Sequence, residues 1–93
     1  MQPVNIEVNI PQFLQHLVDG KTMIRVTGNN VGACLNELTR RFPQLREKLF
    51  TQRDTLHTYL EVFINGKTSY PQELDKPVKD GDSLNIINII DGG

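Results

Sequence analysis

The sequence predicts an α+β fold, a mixed sheet of four to five strands packed on one main helix. Three observations predict it. Apolar and polar residues alternate near both ends of the chain. One internal stretch, 31–42, carries apolar residues at helical spacing. Two turn signals, Asn65-Gly66 and Lys79-Asp80-Gly81-Asp82, punctuate the second half.

The elements follow in order. Val4, Ile6, Val8 and Ile10 alternate with Asn5, Glu7 and Asn9, a period of two that suits a strand with one buried face. Pro11 ends it. Residues 11–22 hold Phe13, Leu14, Leu17 and Val18 before Asp19-Gly20, longer than a tight hairpin and able to form a turn of helix. Met23 to Val26 reads as a second strand. Asn30 is a good helix N-cap. Val31, Cys34, Leu35, Leu38 and Phe42 then fall on one face, and Pro43 stops the helix by pushing its predecessor out of helical geometry. Leu45 and Leu49 continue that face in a second short turn, and 51–55 is a polar loop.

Tyr59 to Asn65 alternates again. Leu60, Val62 and Ile64 form one face, and Tyr59, Glu61 and Phe63 the other. After the Asn65-Gly66 turn, 67–70 suits a short returning strand, and 83–90 a final one. The first and last strands can pair as central neighbours, so that the tail leaves along its own strand direction.

Composition removes several function classes. The chain has 93 residues, enough for one modest core, and a formal charge of -1. Its lysines and arginines are spread along it, without the clustered cationic footprint that phosphate backbones require, so no nucleic acid partner is expected. One cysteine, Cys34, allows no internal disulfide and no multi-cysteine metal site. Its position on the apolar side of the helix suits a buried, inert thiol. His16 and His57 lack ligand spacing, and Asp80-Gly81-Asp82 offers too few oxygens for calcium, so no metal site is expected. No apolar run approaches the ~20 residues of a membrane helix, and no signal-peptide pattern opens the chain. A cytoplasmic location is the expectation. The residues offer no acid–base pair, nucleophile triad or phosphate loop, so a catalytic role is not expected.

The chain ends in Gly92-Gly93. Glycine lacks Cβ, so such a tip is a thin strip of backbone that fits a narrow cleft. A frayed terminus fits the ending alone equally well. The pieces Leu35 to Pro43, Val62 to Gly66, Val78 to Asp82 and Gly92-Gly93, in that order, resemble the ubiquitin-like sulfur carrier proteins of the MoaD/ThiS family. The resemblance covers almost the whole chain. Ile10-Pro11 before a long first connection, and Leu56-His57 before a strand, lean toward the carriers that serve cysteine synthase. The stretch Asn88 to Asp91 lacks the proline that often precedes the diglycine of molybdopterin-type subunits.

The resemblance implies a ubiquitin-like β-grasp domain over 1–90 and a flexible C-terminal tail over 91–93. It also implies that a partner enzyme adenylates the Gly93 carboxylate with ATP. A sulfur donor then converts it to a thiocarboxylate, with Gly92 and Gly93 threaded into the partner's cleft. The implied acceptor is a cysteine or homocysteine synthase that holds its own pyridoxal phosphate, and a metal-dependent protease can accompany the pathway. Within the resemblance, a molybdopterin synthase small subunit and a ubiquitin-like modifier joined to lysines remain open, as does a plain interaction domain. For docking, the alternation puts Phe63 and Ile87 on the sheet face away from the helix, with Ile89 in the same phase. An exposed apolar group beside the tail suits an interface anchor. The alternative is that the long first connection covers that face.

Overall fold

A computed structural model describes residues 4–89. Five strands form one sheet in the order β2-β1-β5-β3-β4. They are β1 (Asn5–Asn9), β2 (Met23–Thr27), β3 (Leu60–Ile64), β4 (Lys67–Thr68) and β5 (Ser83–Asn88). β1 and β5 run parallel at the centre, while β1–β2, β3–β5 and β3–β4 are antiparallel. The sheet is therefore mixed, and its first and last strands are the central neighbours that the alternation allowed.

Helix α1 (Val31–Arg41) covers one face. Asn30 caps it in extended geometry, its Oδ1 accepting from the Ala33 amide at 2.7 Å. Ending it falls to Phe42 and Pro43, and a 3₁₀ turn and the short helix α2 (Arg46–Leu49) follow. The core lies between α1 and the inner sheet face. It joins Ile6, Val8, Ile24, Val26, Leu60, Val62, Leu84 and Ile86 to Val31, Cys34, Leu35 and Leu38. Gly28 sits where α1 comes closest to β2. A Cβ there would stand 2.8 Å from the Cys34 amide nitrogen, so the residue must be glycine for the helix to seat.

The first connection becomes a 3₁₀ helix, Gln12–Val18, longer than the single turn foreseen. It buries Leu14 and Val18 in the same core, on the helix side of the sheet. It does not fold over the outer face: Leu14 and Val18 enter the core, and the segment packs beside the 3₁₀ turn at Pro43–Leu45. Strands β1, β3, β4 and β5 are shorter than the alternation suggested, and one burial differs. The returning strand keeps only Lys67 and Thr68, since Ser69 onward bends into a 3₁₀ turn at Glu73–Asp75. The last strand is described to Asn88, and residue 90 lies outside the described residues. Ile64, read as core, is only partly buried at the end of β3.

At Asn65-Gly66 the φ angles are 51° and 85°. Two successive positive φ values are what a twisted two-residue hairpin demands, and Asn-Gly supplies them at least strain. Among the described residues no helix is long and apolar enough to cross a membrane.

Candidate functional site

The β3–β5 register decides which side chains stand together on the outer face. Glu61 lies opposite Ile87, and Phe63 opposite Asn85. Phe63 and Ile87 are thus diagonal neighbours, with Cα atoms about 7–8 Å apart in such a pairing. The Ile89 amide donates to the Tyr59 carbonyl at 2.9 Å, extending the ladder one step past Asn88. Ile87 is 40% exposed and Ile89 53%, while Phe63 is half-buried. Together they make an apolar corner on the outer face of β3 and β5, running from Phe63 opposite Asn85 to Ile89 just past the end of β5.

Elsewhere the same face is polar but for Met23, which stands opposite Asn9 on β2. Glu7 pairs with Arg25 at 3.4 Å, and Asn9 donates to Ser83 Oγ at 2.9 Å. Glu61 accepts a hydrogen bond from the Thr68 hydroxyl. Tyr59 departs from the alternation. Its ring stacks on His57 with centroids 4.8 Å apart and packs against the core. Tyr59 lies in the turn just before β3, and although its carbonyl still bonds the Ile89 amide, its ring does not stand beside Glu61 and Phe63. Gly92 and Gly93 lie outside the described residues.

The opposite end of β5 carries a network that sequence reading missed. Asp82 Oδ2 accepts from the Lys79 amide at 2.8 Å, and its Oδ1 accepts from Asn65 Nδ2 at 2.8 Å. Asn65 Oδ1 in turn accepts from the Ser83 amide at 2.9 Å. These bonds tie both turns together and pin the start of β5. The Lys79 amide, aided by Asn65, holds the Asp82 carboxyl below the usual carboxylate range despite its burial. The only hint in the sequence was two turn signals rich in Asn and Asp, whose side chains often bond nearby backbone.

The remaining reactive groups serve the structure. Cys34 is fully buried, and burial pushes its thiol up to about 11, so it stays protonated at neutral pH. His57 Nε2 lies 2.8 Å from the Glu47 carbonyl, and His16 is exposed. Glu37 binds Arg40 at 2.6 Å, and Arg46 binds Asp54 at 2.6 Å. No group of three or more potential metal ligands occurs among the described residues.

A five-stranded mixed sheet wrapped around one helix in this order is the β-grasp arrangement of ubiquitin-like proteins. Solved structures share it, three of them as follows. CysO of Amycolatopsis orientalis, solved in complex with BexX, has 26% identity and a TM-score of 0.85 over 95% of this chain and 99% of its own. CysO of Mycobacterium tuberculosis has 23% identity and a TM-score of 0.84, covering 91% of this chain and 99% of its own. Small archaeal modifier protein 1 of Methanosarcina acetivorans has 23% identity and a TM-score of 0.85, with all of both chains covered. Comparison of the sequence with curated proteins gives no match. The sequence matches the ThiS family over residues 8–93, and the chain belongs to that family. It has the fold of the small sulfur carriers and ubiquitin-like proteins.

Proposed function

We infer that this chain carries sulfur on its C-terminal carboxylate and acts as a protein co-substrate. The observation that carries this reading is the family match, which runs through Gly92 and Gly93. A carboxylate is a poor electrophile. An ATP-dependent activating enzyme would let a Gly93 carboxylate oxygen attack the α-phosphorus of ATP, expelling pyrophosphate. A sulfide-level nucleophile then attacks the acyl carbon, and AMP leaves with the C–O electron pair. The product is a thiocarboxylate, an ionised sulfur nucleophile carried without release of free sulfide.

The likeness to CysO supports an acceptor in sulfur amino acid synthesis, a cysteine or homocysteine synthase whose own pyridoxal phosphate supplies the electron sink. The carrier supplies shape, a docking face and the tail. The proposed docking face is the corner of Phe63, Ile87 and Ile89. It is supported by the exposure of both isoleucines, by the position of Ile87 on β5 and by that of Ile89 just beyond it.

The test is the exchange of pyrophosphate into ATP by the activating enzyme from the same cells. The unaltered protein should support it, and Gly92→Leu should abolish it by blocking entry to the cleft. Normal exchange with Gly92→Leu sinks the reading. Intact mass of the protein from its native cells should show one oxygen exchanged for sulfur. Branched tryptic peptides joining residues 80–93 to an acceptor lysine, cut after Lys79, would instead favour a protein modifier.

A further inference from the structure

We propose that a basic groove at the β3–β4 end of the sheet receives an acidic segment of a protein partner. The groove has a volume of about 300 Å³ and is lined by Lys67, Lys76, Lys79 and Asp82, with Ile64 and Pro77 among its walls. Three lysines therefore face a single carboxylate, and that carboxylate is occupied by the Lys79 amide and Asn65 Nδ2. None of the three lysines forms an ion pair among the described residues. The chain's paired cations are arginines instead: Arg25 with Glu7, Arg40 and Arg41 with Glu37, and Arg46 with Asp54.

The acids in the same segments are turned elsewhere. Asp80 Oδ1 accepts from the Asn5 amide at 2.8 Å and lines a separate depression with Glu7 and Arg25. Glu73 and Asp75 line another, beside Thr55 and Leu56. Glu61 is engaged by Thr68. Cations are thus gathered in one groove although the whole chain is slightly acidic.

The walls are also held in place. The Val31 amide donates to the Lys76 carbonyl at 3.0 Å, and the Val78 amide to the Asn29 carbonyl at 3.0 Å. Asn30 and Pro77 form a β-bridge. A lysine on an edge strand also deters strand addition. That role explains Lys67 on β4, but Lys76 and Lys79 belong to another segment. Carboxylates with apolar stems match three lysines around an Ile–Pro wall better than a phosphate backbone does, because the groove offers contact to both parts.

The groove is distinct from the proposed docking corner. Phe63 adjoins Ile64 in β3 but alternates to the opposite face, and Ile64 pairs with Leu84, five steps or roughly 16 Å of strand from Ile89. A partner engaging both ends would use the groove to steer encounter and set register, the usual contribution of complementary charge.

The test is titration of the full-length protein with a short polyglutamate peptide at low salt, followed by amide chemical shifts. Shifts should cluster on 64–68 and 76–82. Lys67→Gln with Lys79→Gln should weaken binding at least about tenfold, with amide dispersion preserved. Raising salt from about 0.02 to about 0.3 M should weaken it too. Removing Gly92-Gly93 should leave peptide binding unchanged, so failure of the tail chemistry and failure of the groove are separable. The proposal is overturned by shifts spread evenly over Lys21, Lys48 and Arg53. It is equally overturned by undiminished binding in the double variant, by dependence on the tail, or by tighter groove binding of a single-stranded oligonucleotide or inorganic triphosphate.

Discussion

Ile86 and Ile87 are the same side chain one residue apart on β5, yet they face opposite demands. Ile86 points into the core at 3% exposure, and Ile87 stands on the outer face at 40%. The inner row of the sheet is apolar from β2 to β3: Ile24 and Val26, Ile6 and Val8, Leu84 and Ile86, Leu60 and Val62. The outer row is polar except at Met23 on β2 and at Phe63, Ile87 and Ile89. The inner row pays for the ordering of the chain through burial. The outer apolar corner adds little to folding, so its presence calls for another explanation, and docking supplies one.

The largest effect that would break this comparison lies on the inner row. Ile86→Ala removes side-chain atoms from the buried core, opposite Val62 on β3. It should cost about 2–5 kcal/mol, the range for such truncations in a packed core. In a chain of this size that lowers Tm by roughly 10 °C or more. Thermal unfolding followed by circular dichroism measures it. A loss no larger than that of a surface substitution would mean that the two faces of β5 are not energetically distinct.

That inner row was legible in the sequence because alternation reports burial directly. So were α1, through Asn30, Pro43 and its 3.6-residue stripe, and the Asn65-Gly66 hairpin, whose chemistry is local. The fate of residues 11–22 was not legible. Phe13, Leu14, Leu17 and Val18 fit a cover for either face, and only tertiary packing beside the turn at Pro43–Leu45 turns Leu14 and Val18 inward. Tyr59 escaped for a related reason: alternation assumes a regular strand, and Tyr59 sits in the turn just before β3. At the candidate site, the phase of Phe63, Ile87 and Ile89 was legible, since all three follow from register. The lysine groove was not, because Lys67 and Lys76–Lys79 meet only after the β3–β4 hairpin and the Asn30–Pro77 bridge have formed.

A middle-sized effect sharpens the comparison along β5 instead of across it. At the strand's start, Asp82 is 7% exposed and accepts two hydrogen bonds. Its carboxyl is held below the usual range, and an unfolded aspartate titrates near pH 3.9. A depressed native value means the contribution is fully present above that pH. It is lost as pH falls through the lower native value, because the unfolded chain then binds the proton more readily. Asp82→Asn should cost about 1–3 kcal/mol near neutral pH. The gap to the unaltered protein should narrow on acidification below about pH 4. Glu37, also lowered by Arg40, titrates in both proteins and cancels in the difference. Urea unfolding at a series of pH values measures the gap. A gap of constant size would show that Asp82 acts through packing alone.

The smallest effect on stability belongs to the other face and discriminates most. Ile87→Thr keeps the β-branch that suits a strand and removes only apolar surface that is already partly wet. Stability should change by no more than about 0.5 kcal/mol. If the corner docks a partner, the same change should raise the KM for the carrier in pyrophosphate exchange at least about fivefold, since apolar anchors carry much of an interface's affinity. Turnover at saturation should hold, because the Gly93 carboxylate is untouched. An unchanged KM would leave Ile87 an ordinary exposed residue and would detach the docking face from this corner of the sheet. A fall in turnover with KM constant would instead place Ile87 in aligning the tail after binding. The split between the two constants therefore tells encounter from alignment, which stability measurements on either face cannot do.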